Sequence, residues 1–223
     1  YYWSYIDRGN LLIKMSKSEE ALADFAEAIK INPHHFVAHV YAGGIYYHSK
    51  NWHRAREHYE KVLTLKSDYY HVYGPLGVMY YMNESWEKAR SMFSKAFTCN
   101  PRELSYPLFI AICYKKNGQD ERAIEYLDTN LSLFPKDTWF YEIARFYMNP
   151  ENDYYVQKKY KEEKNVIRKK RILFYMAVQF GLLGDSYSAR ASFLEVLNLE
   201  KKDLPEYDLA RWELEKYGGG IDW

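Results

Sequence analysis

The sequence predicts an all-α fold in which helix pairs stack one on the next, and three observations carry that expectation. Four columns of residues recur every 34 positions, apolar side chains run at helical spacing twice in each period, and a breaker closes most periods. A period of that length is one supersecondary unit, too small to bury its own apolar face. Neighbouring units must therefore stack to make a core.

The columns have a physical reading. Small residues stand at Gly9, Gly43, Gly77 and Ala111, and alanines keep the same step at Ala21, Ala55, Ala89 and Ala123. A bulky residue follows four later at Phe25, Tyr59, Phe93 and Leu127. Within a period, Val72, Leu76 and Tyr80 and then Ala89, Phe93 and Ala96 mark two amphipathic helices joined by a short turn. The small residues let the two axes approach closely, in the packing class near about +20°. Pro33, Pro101 and Pro135, with Ser67 in the second period, end the second helix, because proline removes a backbone donor.

These residues resemble the tetratricopeptide-repeat (TPR) family, and the third unit fits its pattern best through Leu76, Gly77, Tyr80, Ala89, Phe93, Ala96 and Pro101. The resemblance implies a right-handed α-solenoid of about five to six helix pairs with a C-terminal capping helix. Residues 1–137 are expected to form four regular units, and 138–171 an irregular fifth. Its first helix would run from Trp139 to Met148, with the partner after Tyr154 in a charged stretch. A sixth unit, 172–204, is recovered from Leu173, Ala177, Phe180, Gly184, Ala189 and Phe193. The cap is expected at 205–217, through Tyr207, Leu209, Trp212 and Leu214, and the tail 218–223 is expected to be disordered.

The bulk numbers exclude several classes. With 48% hydrophobic and 27% charged residues the composition is that of an ordinary globular chain, and 24 Tyr suit both cores and binding surfaces. The formal charge is only +1, so no global field draws the protein to nucleic acid, and none is expected as a partner. Membrane contact is expected only indirectly, since the longest apolar run, Pro107 to Tyr114, falls well short of the ~20 residues that span a bilayer. The chain opens at Tyr1 without an initiator Met and reads as a piece of a longer protein. Cys99 and Cys113 are too few for a disulfide framework, lack zinc-site spacing, and are expected to be buried thiols.

Catalysis finds no support in the motifs. All seven histidines fall between His34 and His71, but only His35 and His39 share a helix face, and nothing completes a metal site; no metal or cofactor is expected. No phosphate-binding loop, dinucleotide fingerprint or nucleophile elbow occurs. Glu19, Glu20, Glu162 and Glu163 sit on charged helix faces without the environment of a general acid. The chain is not expected to be an enzyme.

The resemblance implies instead that first helices line a concave groove that takes another protein's peptide or helix. Carried over, its groove positions include Asn10 in the first unit and Val37, Val40, Gly44, Tyr47 and His48 in the second. The third unit contributes His71, Val78, Tyr81 and Met82, the fourth Leu108, Ile112, Lys115 and Lys116, and the fifth Trp139. The family's chaperone carboxylate clamp is absent, because its positions hold Ile6, Asn10, Gly44, His71 and Pro75. A rival expectation is a structural subunit of a larger assembly, touching folded neighbours through its convex face and ends. One feature stands apart from the repeat: Lys158, Lys159, Lys161, Lys164, Arg168, Lys169, Lys170 and Arg171 face only Glu162 and Glu163 in charge, a possible strip for an acidic partner.

Overall fold

The computed structural model describes residues 1–132, 135–136, 138–199 and 204–218. These hold α1 (Tyr2–Lys14), α2 (Ser18–Ile31), α3 (Phe36–His48), α4 (Trp52–Leu65), α5 (Tyr73–Met82), α6 (Trp86–Cys99) and α7 (Ser105–Lys116). They continue through α8 (Asp120–Leu131), α9 (Trp139–Met148), α10 (Asp153–Glu162), α11 (Val166–Leu182), α12 (Ser186–Asn198) and α13 (Pro205–Glu215), with no strand among the described residues. The fold is therefore all-α and built of paired helices, as the 34-residue period predicts. The chain divides into two compact units, Tyr1–Met79 and Tyr80–Trp223.

The turns repeat as faithfully as the helices. Ser16, Lys50, Glu84 and Gly118 stand 34 apart, and each holds a left-handed backbone with φ of 60°, 63°, 54° and 70°. At each of them the residue's N–H bonds the carbonyl three before it, and the next N–H reaches five back, as in Lys50 N to Tyr47 O and Asn51 N to Tyr46 O. This closure satisfies two carbonyls the first helix leaves open. Gly184 repeats it between α11 and α12 with φ 82°. Side-chain caps start α4, α9, α11 and α12, where Asn51, Thr138, Asn165 and Asp185 accept from the N–H three residues on.

In residues 1–79 the small residue of each first helix sits under the ring of the second. A Cβ at Gly9 would lie 2.6 Å from Cε1 of Phe25, and one at Gly43 2.6 Å from Cε1 of Tyr59. Ile6, Ala21, Phe25, Ala28, Ala38 and Ala42 form the buried core, with Phe25 stacked on Tyr41 at 5.4 Å. Buried Asp24 is held by both Nε and Nη2 of Arg8, at 2.7 and 2.5 Å. Gly43→Ala is expected to lower stability by about 1–3 kcal/mol, because Tyr59 must shift off its rotamer. Urea unfolding followed by circular dichroism measures it, with Gly44→Ala as the control, since a Cβ there meets only the Tyr59 hydroxyl at 3.9 Å.

In residues 80–223 the core is aromatic. Phe93 of α6 stacks on Phe109 of α7 at 4.8 Å, Phe109 meets Tyr175 of α11 at 5.5 Å, and Tyr175 stacks on Trp139 of α9 at 6.0 Å. Tyr147 donates to the carbonyl of Tyr175 at 2.8 Å, and Gln179 to that of Phe146 at 3.2 Å, so α9 and α11 are tied by polar as well as apolar contacts. The thiols part company. Cys113 is buried, and burial pushes its thiol well above the usual range. Cys99 is exposed, contrary to the expectation for both, because it ends α6 on the helix's outer side and the apolar residues around it point elsewhere.

Candidate functional site

The residues that sequence reasoning placed in one groove separate into two environments. In residues 1–79, Asn10, Val37, Val40 and Tyr47 are half-buried, His48 and His71 are exposed, and Val78 is buried. Between α1 and α3 an apolar cleft of about 620 Å3 remains, lined by Ile13, Val40, Tyr41, Gly44, Ile45 and His48, with Ser18, Ser49 and Tyr59 at its edges. Gly44 forms part of this lining, and its missing side chain keeps the cleft deep. Val40, Gly44 and His48 are first-helix residues one turn apart, so the 3.6-residue period of α3 brings them to one stripe.

In residues 80–223 the same class of positions is filled. Tyr81, Leu108, Ile112 and Trp139 are buried, while Met82 and Lys115 are half-buried. Lys115 Nζ pairs with Asp120 at 3.1 Å. Tyr81 is covered by α13: its ring meets Trp212 at 5.7 Å, and its hydroxyl donates to Glu213 at 2.5 Å. Burial first, and Glu213 beside it second, push that phenol well above its ordinary range, so Tyr81 remains a donor. A partner could reach Tyr81 only by displacing α13.

A family model described as tetratricopeptide repeat matches residues 6–70, the span that carries this cleft. Over those residues the sequence carries the tetratricopeptide-repeat pattern. No curated protein matches the sequence. Among solved structures, it resembles a tetratricopeptide repeat protein from Parabacteroides merdae at 15% identity, over 98% of this chain and 84% of that one, with a TM-score of 0.59. YrrB, a TPR protein with an unusual peptide-binding site, matches at 15% identity over 93% of this chain and 90% of its own, with a TM-score of 0.54. The Naa15/Naa10 complex bound to HypK-THB matches at 18% identity over 97% of this chain and 34% of that one, with a TM-score of 0.57. At these identities the likeness is one of fold. Tetratricopeptide-repeat proteins are in general non-enzymatic scaffolds for protein–protein interaction.

The basic strip is also divided. Lys158, Lys161, Lys164 and Arg168 are exposed, and Lys159 is half-buried. Lys169 lies over the Tyr160 ring at 4.7 Å. Lys170 and Arg171 leave the strip, because α11 begins at Val166 and turns both inward. Lys170 is buried and donates to the carbonyl of Leu199 at 2.8 Å, while Arg171 pairs with Glu103 at 3.0 Å and Glu206 at 3.2 Å.

The histidine cluster resolves into a pair that sequence spacing did not single out. His39 and His58, on α3 and α4, place their Nδ1 atoms 3.1 Å apart, one donating and the other accepting. Burial, with His58 and Lys61 nearby, lowers His39 to about 4, and burial also lowers His58 from its ordinary value. Among the described residues no three His, Cys, Asp or Glu side chains are grouped to hold a metal, and no helix is long and apolar enough to cross a membrane.

Proposed function

We propose that this protein is a scaffold that receives an apolar peptide or amphipathic helix of a partner on the first-helix face of residues 1–79. The observation that carries the reading is the cleft beside α3, where Val40, Gly44, Ile45 and His48 present an apolar stripe with a polar end. Side chains three and four apart on a partner helix fit such a stripe. Its half-buried aromatic neighbours, Tyr41 and Tyr47, are of the residue type that dominates interface energy. YrrB, of similar fold, has a peptide-binding site, which supports the general class of ligand.

Selection of displayed random peptides against the 223-residue chain tests this. Peptides with apolar residues at helical spacing are expected to emerge. Gly44→Trp, which fills the cleft without a backbone clash, should weaken them at least about tenfold, or ~1.4 kcal/mol. Lys161→Glu with Arg168→Glu should leave them unchanged. Binders indifferent to Gly44→Trp would remove the cleft from the site.

A second reading, a structural subunit that contacts folded neighbours, is favoured by the exposed cations Lys158, Lys161, Lys164 and Arg168. Among the described residues Lys158 pairs with Glu162 at 4.0 Å, a surface contact of little energy. An acidic neighbour docking there would do so at a rate that falls as salt rises. A selection that yields no peptide binder, together with salt-sensitive association of an acidic protein lost on Lys161→Glu, would favour this reading over the cleft.

A further inference from the structure

A helix that only closes a repeat stack needs an apolar inner face and a polar outer one. The inner face of α13 carries carboxylates. Glu206 and Glu213 are each 1% exposed, and Asp208 is 8% exposed, among apolar Leu209, Ala210 and Leu214. Burying an acid is unfavourable unless donors meet it, and replacing a buried ion pair by apolar residues is often neutral or stabilising. Apolar residues would close the stack at lower cost. What buried ion pairs supply is register and choice of partner.

The donors come from the groove. At one end of α13, Glu206 forms an ion pair with Arg171, whose Nε lies 3.2 Å away, and accepts from the Tyr175 hydroxyl at 3.3 Å, while Ser105 Oγ lies 3.3 Å from it and 2.8 Å from Glu103. At the other end, Glu213 receives Lys116 Nζ at 2.7 Å and the Tyr81 hydroxyl at 2.5 Å. Beyond it Lys216 bonds Glu84 at 2.7 Å. Ser105 and Lys116 are the two ends of α7, and Arg171 and Tyr175 are one turn apart on α11. The two acids are seven residues apart, so they and Leu209, Ala210 and Leu214 fall on one stripe at i, i+3, i+4, i+7 and i+8. Two separate cation-and-hydroxyl sites therefore read one helix in one register.

The fit is incomplete at one end. Oε2 of Glu206 is buried without a hydrogen-bond partner, and Arg171 is shared with Glu103. Burial keeps the Glu206 carboxyl above its ordinary range despite Arg171. An occupant held by imperfectly satisfied charge is one that a better-matched helix can replace.

We propose that the groove formed by α7, α11 and the end of α5 is a receptor for an acidic amphipathic helix of a partner protein. Such a helix carries carboxylates at i and i+7 and apolar residues at i+3, i+4 and i+8. The resident occupant is α13, which the partner helix displaces. This site is separate from the cleft beside α3, so failure of one reading leaves the other standing. Because α13 is tethered, a helix added in trans meets only the open fraction of molecules, and its apparent affinity falls by that fraction.

The test uses a fluorescent peptide with the sequence of residues 205–218 and the 223-residue chain in two forms, wild type and Glu206→Gln/Glu213→Gln. The double variant keeps the shape of α13 and weakens its hold, while Arg171, Lys116 and Tyr81 remain. The peptide is expected to bind the variant at least tenfold more tightly than wild type. A peptide with both glutamates changed to glutamine is expected to lose at least tenfold on the same variant. Equal binding to both forms, or binding indifferent to the peptide's carboxylates, would overturn the proposal. Should the variant lose its helical signal, hydrogen exchange of the wild-type chain decides. Amides of α13 exchanging at least tenfold faster than those of α7 and α11 support a displaceable helix, and equal protection overturns it. A concentration-dependent dimer formed by exchange of α13 would make a second copy the occupant and overturn the assignment to a partner.

Discussion

Phe93→Ala is expected to destabilise residues 80–223 by about 3–5 kcal/mol, the range seen when a fully enclosed aromatic ring is removed from a core. Phe93 is 0% exposed, lies parallel to Phe109 at 4.8 Å and 15°, and meets Tyr106 at 6.2 Å. The lost transfer energy of the ring is one part of the cost. The cavity is the other, because α6 and α7 are held apart by the neighbouring layers and cannot close on it. Phe93→Leu should recover more than half of the loss. Chemical unfolding followed by the far-ultraviolet helical signal measures both, and a Phe93→Ala loss below about 1 kcal/mol would mean that this layer is not packed as described.

Glu213→Ala is expected to cost about 3 kcal/mol, through a different cause. The substitution leaves Lys116 Nζ and the Tyr81 hydroxyl without their acceptor, and the Lys116 side chain is only 14% exposed. Breaking a buried pair costs more than the pair contributes, because the surviving charge remains desolvated. The value falls at the low end of that range, since Lys116 keeps a narrow path to water and still lies over the rings of Tyr81 and Trp86 at 5.6 and 5.4 Å. The double variant Lys116→Met/Glu213→Leu should be much closer to wild type than Glu213→Ala alone. A complete cycle of unfolding free energies reads this directly. If Glu213→Ala costs less than about 1 kcal/mol, α13 is not anchored at that end.

Phe93 and Glu213 differ in how legible their burial is in the sequence. Phe93 stands in a column with Phe25, Tyr59 and Leu127, and its burial follows from the period alone. Glu213 belongs to no column. Its signal was present as two acids seven apart on an apolar helix stripe, Glu206 and Glu213, yet acids on a terminal helix normally face water. The turn at Ser16, Lys50, Glu84 and Gly118 was equally hidden. Three of those four residues are not glycine, so the left-handed backbone they share left no composition cue.

What the sequence by itself determined is the helix pairing. A side chain's place on a helix depends only on the 3.6-residue period, and the 34-residue step repeats that pattern, so Gly9 under Phe25 and Gly43 under Tyr59 were legible as small and bulky columns. What only the tertiary structure decided is which first-helix residues remain open. Val40 and Gly44 line a cleft, whereas Leu108 and Ile112, at the same positions two units on, are buried. The repeat pattern assigns both pairs to the same face. Tyr81 is closed off by contact with Glu213, 132 residues away, and Lys170 and Arg171 turn inward because Leu199 and Glu206 are there to receive them. Such pairings join residues far apart in the chain, and no local spacing encodes them.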